Sequence, residues 1–297
     1  MNSDIAKQGS AKKILIIGPS WVGDMVMAQS LFKALHQRHS NLSLDVLAPA
    51  WSRPILERMP EVEKALDLPF AHGELSLGKR YRLGQSLRQQ KYDQVIVLPN
   101  SLKSALVPWF AGIPVRTGWK GEQRGLMLND CRNLDKQRYP LMVERFVALA
   151  YAEGEFEQSQ YPLPVPQLVS TPEGSQAAVR DLGLTWDAQT QVLSLCPGAE
   201  FGDAKQWPTE HYAEVAIHFA QEGWRIALMG SAKDAEVCAQ IVGAMPVDLQ
   251  VQCDNLAGRT SLGQVIDLLA TSNAVVSNDS GLMHIAAALH RPLVAVH

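Results

Sequence analysis

The sequence predicts an α/β protein made of two doubly wound parallel-sheet domains that face a central cleft, and three observations carry that expectation. Short apolar, β-branched runs recur along the chain, helical periodicity separates them, and the alternation stops once at a proline-rich segment before it restarts. Strands that are apolar on both faces, alternating with helices, mark parallel sheets covered by helical layers. A length of 297 residues suits two such domains, each able to bury its own core.

The first run, Ile14 to Ile17, is followed by Met27, Leu31, Ala34 and Leu35 at helical spacing, then by the strands Leu44 to Leu47 and Val95 to Leu98. Pro162, Pro164, Pro166 and Pro172 then punctuate a stretch with neither periodicity, which predicts an interdomain linker over 156–172. The boundaries that follow are a tail over 1–12, a first domain over 13–155 and a second over 173–297. The second domain opens with a helix around Ser175 to Leu182 and a strand from Val192. Tyr212, Val215, Ala216 and Phe219 mark its next helix, which stops at Gly223. Strands at Ile226 to Met229, Ala274 to Ser277 and Leu293 to Val296 complete the pattern. No helix follows the last of them, so the second domain is expected to be incomplete.

Composition removes several classes of function. With 27 basic and 30 acidic residues the net charge is -3, so no global basic field advertises nucleic-acid binding. Cys131, Cys196, Cys238 and Cys253 are widely spaced and form no C-x-x-C pair, which excludes a zinc ribbon and a thioredoxin motif and suits a reducing cytosol. The apolar runs are about four residues long, whereas a membrane span needs roughly 20, and residues 1–13 hold no signal-peptide core. A cytoplasmic protein is the expectation.

Four loops carry residues suited to chemistry. Gly18-Pro-Ser-Trp-Val-Gly-Asp24 follows the first strand and is neither a Walker loop nor G-x-G-x-x-G. Asp24 reads either as the N-cap of a helix beginning near Met25 or as a carboxylate that accepts a substrate proton, and the two roles are compatible. In Cys196-Pro-Gly-Ala-Glu-Phe-Gly-Asp-Ala-Lys-Gln-Trp-Pro208, Lys205 stands beside the positive end of the next helix, an arrangement suited to an anion, although a solvated lysine is the plain alternative. Met229-Gly-Ser-Ala-Lys-Asp-Ala-Glu236 offers Asp234 as a ribose ligand or as a helix cap. In Val275-Val-Ser-Asn-Asp-Ser-Gly-Leu-Met-His284, Asn278, Asp279 and Ser280 are all cap residues. His284, in a first helical turn, reads as a neutral hydrogen-bonding group or as a satisfied core histidine. No Asp-x-Asp spacing occurs, so the short carboxylate clamp for a divalent cation is absent. Lys103, Arg116, Lys120, Arg124, Arg132, Arg138 and Arg145 give the first half a local basic bias, suited to solvated faces and salt bridges or to an anionic acceptor or membrane surface.

At GPSWVGDMVMAQSLF, LPNSLKSALVPWFAGIPVRTGW, CPGAEFGDAKQWP and LAGRTSLGQVIDLLATSNAVVSNDSGLMHIAAAL, the sequence resembles the bacterial ADP-heptose:lipopolysaccharide heptosyltransferases, glycosyltransferase family 9. The resemblance runs over roughly residues 13–297, with the four motifs in order. It implies a GT-B fold of two Rossmann-like domains, the first binding acceptor and the second donor. The implied reaction is an inverting, metal-independent transfer of L-glycero-D-manno-heptose from ADP-heptose to the first inner-core heptose of nascent lipopolysaccharide. Asp24 matches the family's catalytic carboxylate, Lys205 its diphosphate-binding lysine, and Asp279, Gly281, Leu282 and His284 its donor-binding turn; Glu200, Asp234 and Thr260 fall at donor-contacting positions. Acceptor contacts are expected from Lys103, Arg116 and Lys120. No cofactor and no nucleic-acid partner are implied, and the expected state is a monomer in transient contact with the inner face of the cytoplasmic membrane. Transfer onto Kdo2-lipid A, or a nucleotide-binding oxidoreductase or epimerase, stand as alternatives. The resemblance also implies a further C-terminal segment that completes the second sheet.

Overall fold

The structure, a computed structural model, describes residues 11–70, 73–199 and 206–296. The chain forms two compact units, one comprising residues 1–20 and 27–165, the other residues 21–26 and 166–297. The division falls between Val165 and Pro166, inside the proline-rich segment. Phe156 and Tyr161, at the start of that segment, belong to the first unit: Phe156 is buried, with its ring centroid 5.3 Å from Tyr151 and 5.9 Å from Tyr139.

In the first unit the order is β1 (Lys12–Ile17), α1 (Val22–Arg38), β2 (Leu42–Ala48), α2 (Arg53–Leu56), β3 (Lys64–Asp67), α3 (Leu77–Leu87), β4 (Gln94–Val97), α4 (Leu106–Ala111), β5 (Val115–Trp119), β6 (Asp130–Arg132) and α5 (Met142–Val147). Its strands are all parallel, in the order β3-β2-β1-β4-β5-β6, with Ile14 opposite Leu44 on one side and Gln94 on the other. Ile14, Leu15, Ile16, Val95, Ile96 and Val97 are completely buried, as continuous apolar runs between two helical layers must be. From α1, Ala28, Leu31, Phe32 and Leu35 are buried as well, at the spacing of one helix face.

The second unit contributes α6 (Pro172–Asp181), β7 (Val192–Cys196), α7 (Thr209–Gln221), β8 (Arg225–Leu228), α8 (Ala235–Ala244), α9 (Val247–Gln250), β9 (Cys253–Asn255), α10 (Leu262–Thr271), β10 (Ala274–Asn278), α11 (Gly281–Ala288) and β11 (Leu293–Val296). Helix α6 starts three residues before the expected Ser175, because Thr171 accepts the Gly174 amide at 3.1 Å and Pro172 supplies the first helical position. The sheet order is β11-β10-β7-β8-β9, again parallel. The expectation of burial on both faces fails at β11: it is an outer strand, and Val294 is 60% exposed.

In each sheet the chain leaves its first strand in one direction and returns to the other side of it, between β1 and β4 and between β7 and β10. Loops diverge at such switch points and leave a crevice at the carboxyl ends of the strands.

Candidate functional site

The crevice at the β7/β10 switch of the second unit holds a cavity of about 400 Å³, a size suited to a small organic ligand. Gly198 and Ala199 follow β7, Gly230 and Ser231 follow β8, and Ser280 and Gly281 open α11, so backbone from three strand ends forms the wall. Of the sequence-predicted residues, Asp234, Thr260, Gly281 and Leu282 line it. Lys233 lines it as well, a cation that the sequence reading passed over. Glu200 and Lys205 lie outside the described residues.

Asp234 is a cap. Its Oδ2 accepts the Ser231 amide at 2.7 Å and the Ser231 hydroxyl at 2.8 Å, closing a reciprocal box at the turn into α8. The carboxyl also fills the space above two glycines: a Cβ on Gly198 would lie 2.6 Å from its Oδ1, and one on Gly230 2.8 Å from its Cβ. Glycine is therefore required at both positions for the Asp234 carboxyl to pack there.

Thr260 precedes α10, and its buried Oγ1 has no hydrogen-bond partner among the described residues. A hydroxyl in the wall of a cavity without a protein partner is an unused hydrogen-bonding position for a ligand.

Asn278 does not cap α11; Ser280 does, in extended backbone conformation. The Asn278 side chain is fully buried and ties three segments together. Its Oδ1 accepts Tyr212 O–H at 2.9 Å and the Trp207 amide at 3.2 Å, while Nδ2 donates to the Pro197 carbonyl at 2.7 Å. The loop after β7 and the start of α7 are thereby fixed to the end of β10.

The opening turn of α1, grouped with this unit, packs on α11. A Cβ on Gly281 would lie 2.7 Å from Val22 Cβ, and a Cβ on Gly23 would lie 2.5 Å from His284 Cδ2. Asp24 is the third residue of α1 and not its N-cap, because the helix begins at Val22 and the Met25 amide already donates to Trp21 O at 2.9 Å. Asp24 is half-buried. Burial pushes its carboxyl above the ordinary value, and the charge of His284 opposes that rise. Burial likewise lowers the His284 pKa against Asp279 and Asp24, which favours the neutral imidazole. The pair therefore sets a carboxyl whose pKa is raised beside an imidazole whose pKa is lowered, both by burial.

In the first unit, Lys103 sits on the turn after β4 and Lys120 directly after β5, both at carboxyl ends of strands. Arg116 does not join them. It lies near the start of β5, and its guanidinium donates to Met127 O at 2.5 Å and Ile113 O at 2.6 Å, so it clamps backbone. Arg124, read in the sequence as part of a basic bias, is completely buried and bridges Trp119 O, Asn100 Oδ1 and Ser104 Oγ at 3.1, 3.0 and 3.1 Å. Among the described residues no cluster of His, Cys, Asp or Glu could hold a metal ion.

Comparison with known proteins agrees with this architecture. Residues 80–297 match the family model for glycosyltransferase family 9 (heptosyltransferase). The chain is 53% identical to lipopolysaccharide heptosyltransferase 2 of Escherichia coli K12, over 96% of this chain and 82% of that protein. Identity to lipooligosaccharide heptosyltransferase 2 of Haemophilus influenzae is 51%, with 96% and 82% covered. The solved structure of E. coli ADP-heptose lps heptosyltransferase II superimposes with a TM-score of 0.88 at 51% identity, covering 95% of this chain and 84% of that one. The two parallel-sheet units are thus those of the GT-B heptosyltransferases, and the chain belongs to glycosyltransferase family 9, the heptosyltransferases.

Proposed function

We propose that the chain transfers heptose from ADP-heptose onto the first inner-core heptose of nascent lipopolysaccharide. The observation that carries the donor half is the cavity at the β7/β10 switch, with Gly198, Gly230 and Gly281 in its wall beside the Thr260 hydroxyl, which has no partner among the described residues. The acceptor half rests on identity of 50–53% to proteins named as heptosyltransferase 2.

Asp24 is the general base. The acceptor hydroxyl oxygen attacks the anomeric carbon from the face opposite ADP; the new C–O bond forms as the bond to the β-phosphate oxygen breaks, and the proton passes to the Asp24 carboxylate. One displacement inverts the anomeric centre. The departing diphosphate is stabilised by the amide-rich start of α11, by Lys233, and by Lys205 in the role that the family resemblance gives it. Neutral His284 holds a donor oxygen beside the base, with Asp279 behind it. Asp234 acts through Ser231 and the loop it closes. Lys103 and Lys120 hold acidic groups of the acceptor, and Arg116 acts only on backbone. The protein works as a monomer at the inner face of the cytoplasmic membrane.

ADP release is the test. With ADP-heptose and heptosyl-Kdo2-lipid A, turnover is expected; with a heptose-free Kdo2-lipid A acceptor it should fall to background. Equal rates on both acceptors would reassign the enzyme to the first heptose transfer, and stabilisation by NAD in place of ADP would remove it from sugar transfer altogether.

A further inference from the structure

One face of the first unit is left unused by the donor and proton-transfer chemistry. Helix α3 and the turn after it expose Lys79, Arg82, Arg88 and Lys91, with Glu74, which pairs with Lys79, and Asp93 as the nearby acids; Arg80 is 4% exposed and donates to backbone carbonyls. From Glu74 to Glu122, a segment that also includes α4, basic residues outnumber acids by eight to three in a chain whose net charge is -3. Helices α3 and α4 lie side by side within it: a Cβ on Gly84 would meet Phe110 Cβ at 2.5 Å, and Arg88 Nε donates to Phe110 O at 3.1 Å. Their outer surface is both basic and apolar. Tyr81 and Trp109 flank Phe110, with centroids 5.3 and 5.1 Å from its ring, and are 51% and 46% exposed. Leu77, one turn before Tyr81, is 53% exposed. Arg82 is exposed on the same helix, and Lys79 pairs with Glu74 at 3.1 Å.

We infer that this α3/α4 face docks the enzyme on an anionic phospholipid bilayer. The inference deepens the proposed function, since a lipid-linked acceptor gives the docking its purpose. A second copy of the chain is disfavoured because it would bring a like-charged face against this one. A phosphodiester chain would match the arginines but leave Leu77 and the Trp109 ring without an apolar partner. A bilayer satisfies both: tryptophan and tyrosine sit at headgroup depth with the apolar body inward, leucine enters the acyl boundary, and arginine meets lipid phosphate. The face continues into the turn that carries Lys103, whose carbonyl accepts Arg80 Nη1 at 3.1 Å, so docking sets that turn close to the lipid surface.

Co-sedimentation with acceptor-free vesicles tests this apart from catalysis. The full chain is expected to partition onto phosphatidylglycerol/phosphatidylethanolamine vesicles and not onto phosphatidylcholine vesicles, with binding that weakens as salt rises. Arg82→Glu removes one positive charge and adds a negative one, so affinity should fall by about 25-fold, at roughly fivefold per charge. Trp109→Ala should lower it roughly tenfold through lost apolar burial. Both variants should keep the wild-type Tm and ADP affinity. Equal binding to neutral and anionic vesicles, unchanged partition of both variants, or a concentration-dependent dimer that Trp109→Ala dissolves in the absence of vesicle binding would each overturn the inference. Vesicle binding without heptosyl transfer would leave it standing and sink the proposed function instead.

Discussion

The imidazole of His284 lies against the Cα of Gly23 so closely that a methyl group there would fall 2.5 Å from His284 Cδ2 and 2.9 Å from Nε2. Glycine inside a helix is disfavoured by about 1 kcal/mol relative to alanine, so on propensity alone Gly23→Ala should stabilise α1. The ring reverses that sign. Gly23→Ala is expected to lower stability by about 1–3 kcal/mol, as overpacking does, and to displace His284 from Asp24. A double-mutant cycle checks it: in a His284→Ala background the same substitution should be neutral or stabilising. An equal cost in both backgrounds would mean that the contact does not hold the pair together.

Asp24 illustrates a site that trades stability for reactivity. Burial raises its pKa above 3.8, so the folded state holds the proton more tightly than the unfolded chain does. The sign follows: ionisation of Asp24 opposes folding, and the penalty grows as pH rises from the ordinary carboxylate value through the raised one. Asp24→Asn should therefore raise Tm at pH 7, and the gain should vanish in acid below the ordinary value. Turnover should fall by about 10²–10⁴-fold, the usual worth of a general base. In the wild type, the acid limb of kcat should lie above the range of exposed carboxylates, with His284 as the group coupled to it. A variant that loses activity without gaining stability at pH 7 would contradict a buried ionised carboxylate.

The strands that build the two switch points were legible because they are long enough to show continuous apolar runs, as in Ile14 to Ile17 and Val192 to Leu195. Strands β3, β6 and β9 were not: Lys-Ala-Leu-Asp, Asp-Cys-Arg and Cys-Asp-Asn are three or four residues long, sit toward sheet edges and are half-exposed, so neither hydrophobicity nor period marks them. Cap chemistry picks out the turn before α11, where Ser280 is the cap, but does not say which residue of a group serves. Asp24 and Asn278 are good cap residues by type, yet one lies inside its helix and the other is a buried tie to Tyr212, 66 residues away. A glycine two residues into α1 was the available signal, since helices avoid it without a packing reason. Lys233 was hidden because a lysine beside a cap is ordinarily solvated.

Thr260 separates ligand recognition from folding. Its Oγ1 is buried without a partner among the described residues, so replacing it by a methyl group removes a desolvated hydroxyl at no loss of a bond within them. Thr260→Val is expected to leave Tm in the absence of ligand unchanged or slightly higher. If the hydroxyl serves the donor, the Kd for ADP or ADP-heptose should rise about 2- to 12-fold, the worth of one neutral hydrogen bond of roughly 0.5–1.5 kcal/mol. Calorimetric titration alongside thermal melting resolves the two quantities. A drop in Tm with unchanged Kd would make Thr260 a structural residue.

Arg124 makes the opposite case, a charged residue whose role is wholly internal. Its guanidinium is completely buried, is paired with no carboxylate among the described residues, and has its pKa lowered by desolvation. Charge alone would make it unfavourable there. It persists because its planar donor fork meets acceptors from three segments at once: Pro99 and Asn100 after β4, Ser104 on the next turn, and Trp119 at the end of β5. These segments flank Lys103 and Lys120, so Arg124 fixes the backbone from which the proposed acceptor contacts project. Lysine keeps the charge but lacks the fork. Arg124→Lys is therefore expected to destabilise the fold by about 3–5 kcal/mol, because carbonyls and a buried ammonium are left short of partners. Arg124→Met removes the charge as well and should cost less than the lysine, although both leave the acceptors unsatisfied. Denaturant titration ranks the pair, and the order of the two variants is the deciding result: a lysine variant as stable as wild type would show that net charge, and not the geometry of the fork, holds the β4 and β5 loops.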